Sequence, residues 1–332
     1  MLELIIVIIT IALAISYSYA NGINDAANAI ALVVSTRVMS PFAAILMGAG
    51  FNLLGAVTGT AVAKTIGKGI IDPSQVNQMT VVASILSAVL WVMIATRKGI
   101  PVSVSHSLVA SVLGAGLATA GIDAINLTTA TKVLLALALS PLFGFFGGYS
   151  IMVVLYWMVR KSSQSTTEKI FGKLQIIVGA FMAYAHGKND AQNAMGIMAL
   201  GWAVYKSQEV SVDLWMQLSA GLAIGVGTAL GGWKVIRTLG MRLTKLRPIH
   251  GFAAYTAGAT VIELASAIGL PVSTTHTATS SVMGVGATKR LSAVRWGLSR
   301  DIALAWLVTY PVCFIIAFIL SLVLGPIDSI LG

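Results

Sequence analysis

NGINDAANA occupies residues 21–29, and HGKNDAQNA occupies residues 186–194. One pattern, Asn-Asp-Ala-x-Asn-Ala, therefore stands twice, 165 residues apart, in a chain of 332. Around both copies the chain is oil. It is 57% hydrophobic and only 10% charged, with a mean hydropathy of +0.90, where soluble domains carry about 25% charged residues. Uncharged apolar runs recur at 4–20, 41–63 and 133–159, each near or above the ~20 residues that span a bilayer as a helix. A membrane β-barrel would instead alternate in weak segments of about ten residues. The pattern predicts an all-α polytopic protein, multi-pass in the plasma membrane and surrounded by lipid bilayer.

Composition removes other classes. The single cysteine, Cys313, excludes an intrachain disulfide. The net charge of +10 does not imply nucleic acid, because no stretch interleaves basic and aromatic residues over such a surface; loop lysines and arginines that orient a membrane protein account for it. A soft-metal centre is not expected from one cysteine and no His or Glu cluster at ligand spacing. Residues 1–20 lack a basic start and carry Glu3, so they do not read as a cleavable signal.

The two motifs belong to a longer repeat. GIPVSVSHS at 99–107 is echoed by GLPVSTTHT at 269–277, GTAVAK at 59–64 by GTALGG at 227–232, and Pro141 by Pro311. All offsets lie between 165 and 170, close to half the chain. The reading is one repeat over 1–160, a polar cytoplasmic linker over 161–172, and a second repeat over 173–332. With about five crossings per half and both termini outside, only Lys64, Lys68, Lys132, Lys188 and Lys206 miss the inner loops, so 16 of the 21 basic residues fall inside, as the positive-inside rule requires. An odd number of crossings makes the halves inverted. That is the plan of secondary transporters, with the site at the repeat interface.

Asp25, Asp190 and Glu263 remain at membrane depth, where an ionisable group costs several kcal/mol. Glu263 has no repeat mate; Asp25 and Asp190 are mates. The oxygens of Asn24, Asp25 and Asn28, and of Asn189, Asp190 and Asn193, form a hard donor set suited to Na⁺, another hard cation or a proton. The plainer alternative is that these side chains glue helices together. At the second motif pair, Gly-x-Pro predicts a broken helix or re-entrant hairpin in mid-membrane. The freed N–H groups of a half-helix attract an anion. Ser103, Ser105 and Ser107 in one copy, and Ser273, Thr274, Thr275 and Thr277 in the other, add neutral donors that suit a tetrahedral oxyanion; capping alone also employs such residues. His106 and His276 orient the hairpins or touch the ligand. Lys188, found in one motif only, contacts the anion or balances Asp190. An uncoupled anion channel leaves the paired acids unexplained. A Ser-His-Asp hydrolase needs its residues once, not twice, so the chain is not read as an enzyme.

Together, NGINDAANA with HGKNDAQNA and GIPVSVSH with GLPVSTTH resemble the inorganic phosphate transporter (PiT) family, solute carrier family 20 in eukaryotes, in its compact prokaryotic form. The resemblance covers the whole chain. It implies a cation-coupled phosphate symporter of inverted repeats, dimeric, without a cofactor beyond the co-transported Na⁺ or H⁺. It implies that the Asn-Asp motifs carry cation and phosphate ligands, with sodium at Asp25 and Asp190, and that the Pro-Val-Ser hairpins hold phosphate. Sulfate and arsenate remain alternative cargoes. The chain departs from many members at Lys188, Asn193, Asn52 and Tyr255.

Overall fold

The computed structural model describes residues 2–231, 236, 243–244 and 246–331, the last five as backbone only. The loop residues Lys234, Arg237, Arg242 and Lys245, used above to orient the chain, lie outside the described residues, as does Gly232 of GTALGG. No strand occurs among those described; one isolated bridge joins Ile71 to Ile125. The helices are α1 (Leu2–Ser35), α2 (Pro41–Ala56), α3 (Ala61–Lys64) with a π-helical turn Thr65–Gly69, α4 (Gln78–Lys98), α5 (Val104–Ala120), α6 (Leu127–Val159), α7 (Gln164–Lys206), α8 (Leu214–Leu230), α9 (Pro248–Ala267), α10 (Thr274–Ala287) and α11 (Trp296–Leu331).

Local chemistry sets these boundaries. Ser40, Asn77, Asn126 and Ser163 each cap a helix by accepting a hydrogen bond from the backbone N–H three residues on, and Pro41 sits at a helix start where its missing N–H costs nothing. Ser163 starts α7 at once, so the polar residues 164–172 are the first turns of a 43-residue helix and the break from α6 is confined to 160–163.

Among the described residues four helices, α1, α4, α6 and residues 296–326 of α11, are long and apolar enough to cross a membrane, with a fifth span if α2 and 61–69 count as one bent by 60°. Large side chains such as Phe143, Phe146, Trp157, Leu307 and Ile319 stand on the outer surface, an apolar belt that water would not tolerate.

The packing pairs up. α1 lies on α8 as α7 lies on α2; α1 lies on α4 as α7 lies on α9; α11 covers α4 and α5 as α6 covers α9 and α10. Small residues permit the approach: a Cβ on Gly114 of α5 would fall 2.3 Å from the Phe314 carbonyl, and one on its mate Gly284 of α10 would fall 2.0 Å from that of Phe145. Two large apolar cores result among the described residues, besides two small clusters around Ile6 and Ala83. One takes the first part of α1 with α4, α5 and the end of α7; the other takes the end of α1 with α9, α10 and the earlier part of α7. Between them α1 and α7 turn polar, at residues 21–28 and 186–193, and there the two helices cross.

Candidate functional site

The helix interruptions come first, because they aim the site. Gly99 and Gly269 adopt φ of 71° and 74°, a left-handed conformation that glycine accepts without strain. The N–H of Gly99 reaches Thr96 and that of Ile100 reaches Ala95; Gly269 reaches Ser266 and Leu270 reaches Ala265 in the mate. These bonds close the ends of α4 and α9. Four residues later Ser103 and Ser273 cap α5 and α10, accepting from the His106 and His276 N–H groups at 3.1 and 3.2 Å.

The amide nitrogens of the two motifs fasten α1 and α7 to both breaks. Asn24 donates to Thr96 at 2.9 Å and to the Ile100 carbonyl at 3.3 Å. Its mate Asn189 donates to Ser266 at 2.8 Å and to the Leu270 carbonyl at 3.4 Å. Asn28 reaches across to Thr275 at 3.1 Å, and Asn193 reaches across to Ser105 at 3.0 Å. The glue function is therefore present, and it uses the nitrogens together with one oxygen, Asn189 Oδ1, which accepts from the Val272 N–H at 3.3 Å. The oxygens of Asn21, Asn24, Asn28 and Asn193, and Oδ1 of Asp190, are buried with no hydrogen-bond partner.

The carboxylates are 1% exposed. Thr274 Oγ1 lies 3.2 Å from Asp25 Oδ2 and 3.0 Å from Asp190 Oδ2, bridging the mates. Thr275 donates to Asp25 Oδ1 at 2.9 Å, and Asn21 Nδ2 to Asp190 Oδ2 at 3.2 Å. Thr274 and Thr275, read as anion donors, thus face the acids. Ser107 and Thr277 bond back to the carbonyls of Val104 and Ser273 at 2.6 and 2.8 Å, so their hydroxyls also serve their own helices. Of the hydroxyl runs, Ser105 and Ser273 keep their protons uncommitted among the described bonds: Ser105 accepts from Asn193, Ser273 accepts from the His276 N–H, and neither donates.

His186 completes the acid cluster. Thr228 Oγ1 donates to the Ile224 carbonyl and accepts from Asn52 Nδ2, which turns Asn52 Oδ1 toward His186 Nδ1 at 2.6 Å. Nδ1 therefore carries a proton, and Nε2 faces Asp190 Oδ2 at 3.4 Å and Asp25 Oδ2 at 3.8 Å. Atoms of Asp25, His186 and Asp190 lie within 4.8 Å of one another. No such cluster is visible at any sequence spacing, because Asp25 arrives from the other half. Yet Asn21 and His186 open the two quoted motifs and are repeat mates, and this was the available signal. Tyr17, whose hydroxyl donates to the Val104 carbonyl at 2.9 Å, has no sequence signal.

Lys188 touches neither Asp190 nor the hydroxyl runs. It forms an ion pair with Glu263 of α9, which gives that acid its partner. His106 and His276 meet ring to ring at 4.6 Å, and His276 stacks on Trp306 at 3.7 Å. They clasp the two helix starts together and line a cavity of about 500 Å³ with Leu137, Pro141 and Tyr310.

Chemically, the site offers a buried dicarboxylate, a ring of unpartnered amide oxygens, and two helix starts with neutral donors beside it. The model of the phosphate transporter family matches residues 21–317. The chain is 40% identical over 313 residues to the "Probable low-affinity inorganic phosphate transporter" of Bacillus subtilis (strain 168), covering 93% of this chain and 94% of the relative. It is 39% identical over 302 residues to the protein of the same name from Rhizobium meliloti (strain 1021), covering 90% of each. A solved structure titled "The sodium-dependent phosphate transporter" superposes with a TM-score of 0.86 at 27% identity, covering 97% of this chain and 99% of the other.

Proposed function

The chain belongs to the phosphate transporter family, and from that premise we propose that it is a secondary symporter of inorganic phosphate driven by Na⁺. The observation that carries the coupling is the buried pair Asp25 and Asp190 amid unpartnered amide oxygens. Two carboxylates in one dry site repel each other and an arriving phosphate alike. Cations held by the acids and the amide oxygens of Asn24, Asn28, Asn189 and Asn193 cancel that repulsion. Each ligand then lowers the cost of binding the other, which is coupling in the thermodynamic sense. The donor set is oxygen-rich and hard, which favours Na⁺ over a lone proton, and the name of the superposing structure agrees with this choice.

Phosphate is read as sitting against the starts of α5 and α10, where main-chain N–H groups, Ser103, Ser105 and Ser273 offer donors without a fixed positive charge. Thr274 and Thr275 turn from carboxylate to phosphate as cations take over the acids. The pairwise matching of helix contacts supports two inverted repeats, broken at Gly99–Ser103 and Gly269–Ser273, moving in alternating access around a fixed site. Five crossings per half, termini on the outer face and a homodimer in the plasma membrane complete the proposal.

The test is radiolabelled phosphate uptake into proteoliposomes under separately imposed Na⁺ and H⁺ gradients, with sulfate and arsenate as competitors. Accumulation is expected with the Na⁺ gradient alone. Accumulation with the H⁺ gradient alone would replace Na⁺ by H⁺, and passive equilibration under both would sink the symport reading.

A further inference from the structure

The hydroxyl of Tyr255 enters the backbone of α1. It accepts from the Leu32 N–H at 3.0 Å and donates to the Ala29 carbonyl at 2.8 Å. In an undisturbed helix those groups serve the i→i−4 ladder, and a side chain lodged there is a recognised cause of bending. The insertion falls one turn beyond Asn28. Tyr255 belongs to α9 and is 2% exposed, so this one hydroxyl joins two elements from different halves.

Beside it runs a narrow seam between α1, α9 and α10, lined by Asn28, Ala31, Leu32, Tyr255 and Thr279, with Leu243 from the chain just ahead of α9. Its free volume is about 10 Å³, near the ~10–15 Å³ that admits a single water. Two lining atoms, Asn28 Oδ1 and Thr279 Oγ1, are buried without a hydrogen-bond partner. Such atoms carry a cost in a permanently dry contact and lose it in a path that wets on opening. The repeat mates sharpen the point. At the offset of 170, Tyr255 corresponds to Ile85 and Thr279 to Val109, and both mates are buried in one apolar cluster with Ile197. At these two positions the second half carries hydroxyls and the first half aliphatic side chains.

We propose that this seam is the route by which phosphate leaves the site toward the face where α9 begins, and that Tyr255 is its latch. The inference rests on the transporter reading above. When α1 and α9 part, the Leu32 N–H and Ala29 carbonyl keep the helical ladder of α1 as their partner, while the Tyr255 and Thr279 hydroxyls turn to the entering water. Hydrogen bonds are exchanged and not lost, so the closed and open forms stay close in energy. The departing anion meets the Thr279 and Tyr255 hydroxyls in turn, both neutral donors, and neither traps it.

The experiment uses the full chain in liposomes with Ala31→Cys as the reporter; Cys313 is fully buried and is checked alone as the background. A membrane-impermeant thiol reagent is applied from each face. Adding Tyr255→Phe, which keeps the ring and removes the hydroxyl, is expected to raise the modification rate roughly tenfold from the face where α9 begins, as loss of ordinary hydrogen bonds implies. Separately, Thr279→Val is expected to slow phosphate efflux several-fold with the Na⁺ concentration for half-maximal uptake unchanged. Equal modification rates with and without Tyr255→Phe, modification from the opposite face, or unaltered efflux in Thr279→Val would each overturn the proposal. Failure of the parent reading shows elsewhere, as no phosphate accumulation by the unaltered chain.

Discussion

Nε2 of His186 lies 3.4 Å from Oδ2 of Asp190, one turn along the same helix and fully buried. With Nδ1 committed to Asn52, this nitrogen is the ring's one remaining polar atom, and it faces the acid pair. His186→Asn installs the residue that its mate Asn21 already is, and removes that nitrogen. The Na⁺ concentration for half-maximal phosphate uptake is expected to rise about 10- to 100-fold, the scale seen when a partner of a metal-binding group is removed. Uptake measured against Na⁺ in proteoliposomes checks it; an unmoved Na⁺ curve takes His186 out of the site.

The two carboxylates are predicted to be indispensable one by one. Asp25→Asn and Asp190→Asn keep the shape of each side chain and its contact with Thr274 and lose its charge. Each variant is expected to bring cation-driven uptake down to that of protein-free liposomes. Wild-type initial rates in either variant contradict the coupling scheme.

Lys188 and Glu263 are an ion pair in one half, while their mates at the corresponding offsets are Ile23 and Met93. Lys188→Ile or Glu263→Met alone leaves a charge stranded and is expected to destabilise the protein by about 1–3 kcal/mol, below the roughly 3–5 kcal/mol of a fully buried pair, since both side chains keep some exposure. The double variant copies the other half and is expected to recover most of that loss. Thermal unfolding of the purified protein in detergent reads the cycle; strict additivity of the singles would show that the pair does not interact.

Gly284→Ala forces a methyl against the Phe145 carbonyl. Overpacking of this kind costs about 1–3 kcal/mol, so a lowered unfolding temperature is expected. Gly50, beside which a Cβ meets nothing within 4 Å, is the control: inside α2, Gly50→Ala should leave the unfolding temperature unlowered or slightly raised, since Ala favours a helix interior by about 1 kcal/mol.

Much of this architecture was legible because duplication doubles a weak signal. One Asn-Asp string in oil is a curiosity, and two in register predicted that α1 and α7 play matching parts. The turns at Gly99 and Gly269 carried a local signal too, since few residues besides glycine take the left-handed conformation found at both. What stayed hidden was division of labour within a side chain. Sequence posed cation ligand and helix glue as alternatives for Asn24 and Asn28, whereas their nitrogens fasten helices and their oxygens are left without a hydrogen-bond partner. It gave Thr274 to an anion, whereas the fold sets that hydroxyl between two acids brought together from different halves. Lys188 was ambiguous for the same reason: its partner lies 75 residues away on α9, a distance that no local pattern spans.

The glycines where α1 meets α8 and α2 meets α7 set a limit on how the molecule moves. A Cβ on Gly22 would strike the Ile224 carbonyl at 2.2 Å and one on Gly227 the Tyr19 carbonyl at 2.2 Å; Gly55 and Gly187 stand the same way against Tyr184 and Asn52, at 2.0 and 2.1 Å. Main chain rests directly on main chain there, with no side chain between that might swing to accommodate sliding. In the alternating-access proposal each couple therefore travels as one rigid girder, and movement falls to the seams that side chains fill.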